Sequence, residues 1–253
     1  MLADHTLFST PAVLAVTLLA VALVGLSKGG LGGAFGLMGV PVLSFVMPPV
    51  QAAALLLPIL LVMDAVSLWT WRHWRDAAVL KVMLPAAMLG IGAGWASASL
   101  VPEEGVLLLV GLVALIFGLR ALLGRYLGAP AHRPWAGWVW GALSGFTSFV
   151  AHAGGPPFQV HVLPKRLDPK VFTGTSVLFF AMVNLVKVGP YAALGFLDAR
   201  VLASALVTLP LAALAVRAGA WAVRRMPAAA FYTFSHVMVV LVGVRLVWVA
   251  LAG

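Results

Sequence analysis

The sequence predicts an all-α, polytopic transmembrane protein made of two inverted repeats, each beginning with a helical hairpin broken by glycine and proline. Three observations predict it. Of 253 residues, 63% are hydrophobic and 9% charged, with a mean hydropathy of +1.09, which leaves too little polar surface to cover a soluble domain of this size. Several apolar runs approach the roughly 20 residues a helix needs to cross the hydrocarbon core, and that length selects helices over a barrel. Two breaks, Gly25 to Gly36 and Gly145 to Pro157, begin 120 residues apart in otherwise apolar segments. Such paired interruptions in two halves point to a binding site at a repeat interface.

In chain order, the first apolar segment runs from Pro11 to Ser27, and after the glycine stretch a shorter piece covers Ala34 to Met47 before Pro48-Pro49. Val50 to Thr70 follows and closes in Trp69-Thr70-Trp71-Arg72-His73-Trp74-Arg75, where indoles mixed with cations predict an interfacial belt. Val79 to Ser99 and Gly105 to Leu123 complete a first repeat over residues 1–123, with the acidic turn Glu103-Glu104 between them. Residues 124–134, the most polar break in the chain, are expected to form a cytoplasmic linker. The second repeat, 135–253, has a segment from Trp135 to Ala151, a short piece from Phe158 to Leu163, and long segments at Val171–Tyr191, Val201–Val223 and Ala228–Leu251. Matching Gly25 to Gly145, Asp64 to Asn184 and Pro85 to Pro210 needs offsets of 120, 120 and 125 residues, an ordered trace of duplication.

Lysines and arginines set the expected topology. If each break is a hairpin that returns to its starting side, Arg72, Arg75, Lys81, Arg120, Lys165, Arg166, Lys170, Arg224 and Arg225 all lie in the cytoplasm, and both termini lie outside. If each break crosses once, Lys165-Arg166 and Arg224-Arg225 fall outside, so the positive-inside rule favours hairpins. The stretch Met1 to Pro11 carries no lysine or arginine and so lacks the basic start of a cleaved signal peptide.

The motifs carry a family resemblance. Ser27-Lys28-Gly29-Gly30-Leu31-Gly32-Gly33, then Pro48-X-X-Gln51-Ala52-Ala53, His152-Ala153-Gly154-Gly155-Pro156-Pro157, Thr173-Gly174-Thr175 and Asn184-X-X-Lys187 resemble the sulfite exporter TauE/SafE family of membrane transporters, from about Ala15 to Val249. The resemblance implies transport of a small sulfur-containing anion such as sulfite or a C2 organosulfonate across the cell (plasma) membrane. It assigns no contact residues, so the candidates come from physical chemistry.

An anion inside a membrane needs donors that do not themselves require a counter-ion. Helix N-termini offer free N–H groups with partial positive charge, and glycine lets an oxyanion approach the backbone. Gly29, Gly30, Gly32 and Gly33 at the first break and Gly154 and Gly155 at the second are therefore substrate-binding candidates, the competing role being close helix crossing. Lys28 and Lys187 are candidate ligands, since a lysine at membrane depth costs roughly 2.5–3.5 kcal/mol unless it faces a cavity or partner; the alternative is snorkelling to the surface. Asp64 is expected to form a salt bridge or a coupling site, and its uncharged counterpart Asn184 is a further substrate-binding candidate. His152 suits proton coupling or anion hydrogen bonding. Ser27, Thr147, Ser148, Thr173 and Thr175 offer hydroxyl donors, against the alternative that they bond their own helix.

The chain has no cysteine, which excludes disulfides and thiolate chemistry. It has no Walker A sequence, no Gly-X-Ser-X-Gly elbow and no His-Glu-X-X-His, so neither ATP hydrolysis nor a familiar enzyme site is indicated. The expected function is secondary export of a sulfur anion without a cofactor or metal. A passive anion channel and an intramembrane enzyme using His152 are the competing classes. The expected partners are the oxyanion and the bilayer, not nucleic acid, with homo-oligomerisation left open.

Overall fold

A computed structural model describes residues 6–31, 38–97, 100, 102–123 and 134–252. Gly32, Gly33 and the linker 124–133 lie outside these residues. Every regular element among them is helical: α1 (Pro11–Leu26), α2 (Gly39–Leu43), α3 (Pro49–Trp71), α4 (Ala77–Ala96), α5 (Glu103–Leu122), α6 (Pro134–Ala151), α7 (Gly155–Val162), α8 (Pro169–Ala193), α9 (Ala199–Arg225) and α10 (Ala228–Ala252). Seven of these helices are long and apolar enough to cross a membrane.

Local chemistry explains the boundaries. Thr10, Asp76, Asp168 and Asp198 cap the starts of α1, α4, α8 and α9 by accepting from Val13, Val79, Lys170 and Val201 N–H groups respectively. Arg224 and Arg225 close α9 at its negative end. One expected element is shorter than the sequence implied. The piece expected from Ala34 to Met47 is helical only over Gly39–Leu43 among the described residues, because Ser44 to Met47 turn ahead of Pro48-Pro49.

Packing relates the halves pairwise. α4 packs on α6, and α9 packs on α1 and on the turn Ser27–Leu31 that follows. α3 packs on α8, and α5 on α10, the pairs that the expected duplication would match. In the last pair, a Cβ on Gly111 would meet Val247 and the Gly243 carbonyl, and a Cβ on Gly243 would meet Leu115 and the Gly111 carbonyl. Each glycine thus lets the other helix approach.

The basic turns converge on one end of the bundle. Lys170 Nζ lies 5.0 Å from the centre of the Trp74 ring, and Asp76 N–H donates to Thr175 Oγ1 at 2.8 Å. Arg224 donates to the Thr70 carbonyl at 3.0 Å, and the Arg166 guanidinium lies 5.8 Å from the Tyr232 ring centre. At the other end Leu7 N–H donates to Ser204 Oγ, near the start of α9.

Candidate functional site

α1 does not stop at Leu26. It passes into a widened turn, Ser27–Leu31, in which Gly30 adopts φ +131°, a conformation a side chain resists. This turn is clamped from two sides: Ser67 Oγ donates to the Lys28 carbonyl at 3.0 Å, and Trp71 Nε1 donates to the Gly29 carbonyl at 3.0 Å. Carbonyls freed by the widened turn thereby find donors, as buried backbone must. Trp71 is 2% exposed, so the expected aromatic belt is divided: Trp69 faces outward, whereas Trp71 is an internal brace.

The second break has a different construction. α6 ends at Ala151, His152 takes a left-handed conformation at φ 51°, and α7 starts at Gly155. Thr147 Oγ1 lies 2.8 Å from the Leu143 carbonyl and 3.1 Å from that of Ala153, while Ser144 Oγ donates to the Gly154 carbonyl at 2.7 Å. The loop is thus stitched back to its own helix.

Between the breaks lies a cavity of about 100 Å³. Of the sequence candidates it is lined by Ser27, Lys28, Gly30, Ser148, His152, Gly155, Thr173, Asn184 and Lys187. Lys28 Nζ forms a 2.6 Å ion pair with Asp64 Oδ1, and Asn184 Nδ2 donates to Asp64 Oδ2, also at 2.6 Å. Lys28 therefore turns inward rather than snorkelling, with its ammonium 5.8 Å from the Phe180 ring centre. Lys187 is 0% exposed. Its Nζ donates to the Ser148 carbonyl at 3.1 Å, to Ser148 Oγ at 3.2 Å, and lies 3.4 Å from His152 Nδ1. His152 Nε2 in turn lies 2.9 Å from the Tyr191 hydroxyl.

Several candidates do other work. A Cβ on Gly29 would run into the α9 backbone at Val216, Gly219 and Ala220, and one on Gly154 would meet the Ser144 carbonyl. These two are close-packing glycines; Gly30 and Gly155 are the ones at the cavity. Thr147 is not among the residues lining the cavity, because its hydroxyl holds the second break together. Thr175 sits at the basic end, donating to the Val171 carbonyl and accepting from Asp76 N–H. The helix-N-terminus idea also needs revision at α7. Pro156 and Pro157 have no N–H, so the first turn of α7 offers an anion fewer donors than an ordinary helix start.

Ser176 and Phe180, absent from the sequence-based set, and Thr173, a candidate in it, complete the wall with Asn184 and Lys187, and Tyr191, also absent from that set, extends the row. The signal was present: 173, 176, 180, 184, 187 and 191 step by three or four along α8, a single helical face. Thr173 Oγ1 is buried and makes no hydrogen bond among the described residues.

These features define a polytopic membrane protein with a small cavity deep in its helical bundle, lined by two inward-turned lysines, the architecture of a membrane transporter. The chain belongs to the sulfite exporter TauE/SafE family, whose family model matches residues 17–246. Members are membrane transporters of sulfur-containing anions rather than enzymes, and the chain is an integral membrane protein. No curated protein and no solved structure matches it.

Proposed function

We propose that this protein is a secondary transporter that exports a small sulfur oxyanion, sulfite or a short organosulfonate, across the plasma membrane, and that the anion binds in the cavity between Lys28 and Lys187. The observation that carries the proposal is the charge balance. Asp64 already answers Lys28, and among the described residues no carboxylate lies within salt-bridge reach of Lys187. The partners of Lys187 are a carbonyl, a hydroxyl and an imidazole. A buried ammonium without a counter-charge is costly, and an anion in the cavity supplies one. Ser148, His152, Asn184 and the unpaired hydroxyl of Thr173 are neutral groups at the same cavity, suited to the oxygens of a sulfur oxyanion.

Two inverted repeats fit the same proposal. Asp64 and Asn184, 120 residues apart, bond to each other where α3 meets α8, and Gly111 and Gly243 bring α5 and α10 together. A site on such an axis can be opened to either side by rocking one half against the other. The basic end is assigned to the cytoplasm by the positive-inside rule. An inside-negative potential then drives each exported negative charge by about 2.3 kcal/mol per 100 mV, without nucleotide.

The test is flux of isotope-labelled sulfite and of a C2 sulfonate in proteoliposomes under an imposed potential. Saturable flux that follows the potential and shows counterflow supports an electrogenic carrier; flux without saturation or counterflow means a channel. The row Lys187, His152, Tyr191 favours a second reading, in which a proton travels with the anion. In that case flux follows an imposed pH gradient rather than the potential, and His152→Asn, which tolerates the left-handed backbone, removes the pH response.

A further inference from the structure

Away from the transport cavity, the basic end of the bundle holds a second concavity, of about 540 Å³, between the last turn of α3 and the last two turns of α9. Its wall carries four arginines, Arg72, Arg217, Arg224 and Arg225, with Trp69 and Trp221, and no acidic residue lines it. Three of the arginines are held against indoles. Arg72 lies 4.3 Å from the Trp69 ring centre and donates to the Trp69 carbonyl at 2.8 Å. Arg225 lies 4.2 Å from the Trp221 ring centre, and Arg224 lies 5.1 Å from that of the buried Trp71. A guanidinium has five N–H donors; Arg72 and Arg224 each spend one on a backbone carbonyl, and stacking on an indole leaves the remaining in-plane donors for a phosphate.

We propose that this concavity is a binding site for the phosphodiester headgroup of an acidic phospholipid. Position argues for a lipid over a dissolved anion. Arg217, Trp221, Arg224 and Arg225 recur at i, i+4, i+7 and i+8 on α9, one face of the helix. Arg217 lies about 12 Å deeper than Arg225 by helix rise, below the level where the helix leaves the membrane. The indoles of Trp69 and Trp221 are 72% and 60% exposed, as at an interfacial belt. Below them Leu214 and Leu206 are also exposed on α9, providing apolar surface for acyl chains. Basic pockets between helices at the cytoplasmic face are where anionic headgroups bind.

The test is the thermal melting temperature of the detergent-purified chain titrated with phosphatidylglycerol, phosphatidylcholine or inorganic phosphate, together with native mass spectrometry to count retained lipid. Phosphatidylglycerol should raise the melting temperature saturably while phosphatidylcholine does not. Arg217→Gln/Arg225→Gln should weaken that response at least tenfold and lose one retained lipid, whereas the charge-matched Lys81→Gln/Lys165→Gln should keep both. An equal effect of the two double variants means general charge attraction and overturns the site. A response reproduced by inorganic phosphate overturns the lipid assignment in favour of a free anion. Should the arginine variant fold poorly, the wild type decides: native spectra with no phosphatidylglycerol retained over phosphatidylcholine overturn the proposal, and selective retention supports it.

Discussion

At the first break the lysine is answered within the protein, Lys28 by Asp64 at 2.6 Å; at the second, Lys187 bonds a carbonyl, a hydroxyl and an imidazole and no carboxylate. The two lysines do not occupy matching positions: at the 120-residue offset Lys28 aligns with Ser148 and Lys187 with Ser67, while Asp64 aligns with Asn184. Asn184 serves Asp64 as a donor, so the second half orients the carboxylate of the first without adding another. Backbone construction differs too: donors from α3 clamp the first break, whereas the second is stitched to its own helix. On the proposed function the two breaks divide the work, one anchored and charge-neutral, the other meeting the cation left for substrate.

The largest expected effect follows from that division. Lys187→Met should lower saturable anion flux roughly 30-fold or more, the loss expected when one partner of a buried charge contact is removed. It should leave the thermal melting temperature unchanged or raised, since a buried ammonium is replaced by an apolar chain of similar length. A folded Lys187→Met protein with wild-type flux would break the comparison.

Asp64→Asn comes next and acts on stability first. It strands the Lys28 ammonium, and removing one partner of a buried pair costs about 3–5 kcal/mol. Lys28 retains 15% side-chain exposure, so about 2–3 kcal/mol is expected after solvent screening. Adding Lys28→Met removes the stranded charge and should recover most of the loss in a denaturant melt. Failure to recover would mean that Asp64 stabilises the fold chiefly through Asn184.

Glycine substitutions sharpen the contrast between packing and site. Gly29→Ala should destabilise by about 1–3 kcal/mol through overpacking against the α9 backbone. Gly154→Ala should behave likewise against the Ser144 carbonyl. A melt in which both variants match wild type would return these two glycines to the list of substrate contacts.

How far the sequence reaches is visible in the same residues. The long helices were legible because hydropathy and length state them directly, and Asp76, Asp168 and Asp198 mark helix starts by an ordinary capping rule. Lys28, Asp64 and Lys187 stood out because charge at membrane depth demands a partner. Which lysine Asp64 would choose was not legible, since partner choice depends on how α3 crosses α1 and α8. Trp71 was hidden inside an aromatic belt for the same reason: only packing turns one of three neighbouring indoles inward. Thr147 and Thr173 are alike in sequence, yet one closes a loop and the other faces the cavity.

Thr173 gives the smallest and most selective effect. It is contributed by α8 of the second half but sits against Gly30 of the first, where a Cβ would meet its side chain. Its hydroxyl has no partner among the described residues. A buried hydroxyl without a partner costs stability, so Thr173→Val, nearly equal in shape, should leave the melting temperature unchanged or slightly higher. If the hydroxyl donates to the bound anion, losing a hydrogen bond to a charged group weakens apparent affinity by roughly 10-fold, with maximal flux little changed. Equal affinity in wild type and Thr173→Val would place the anion closer to Lys187 and Ser148 than to the first break, and the substrate site would then belong to the second half alone.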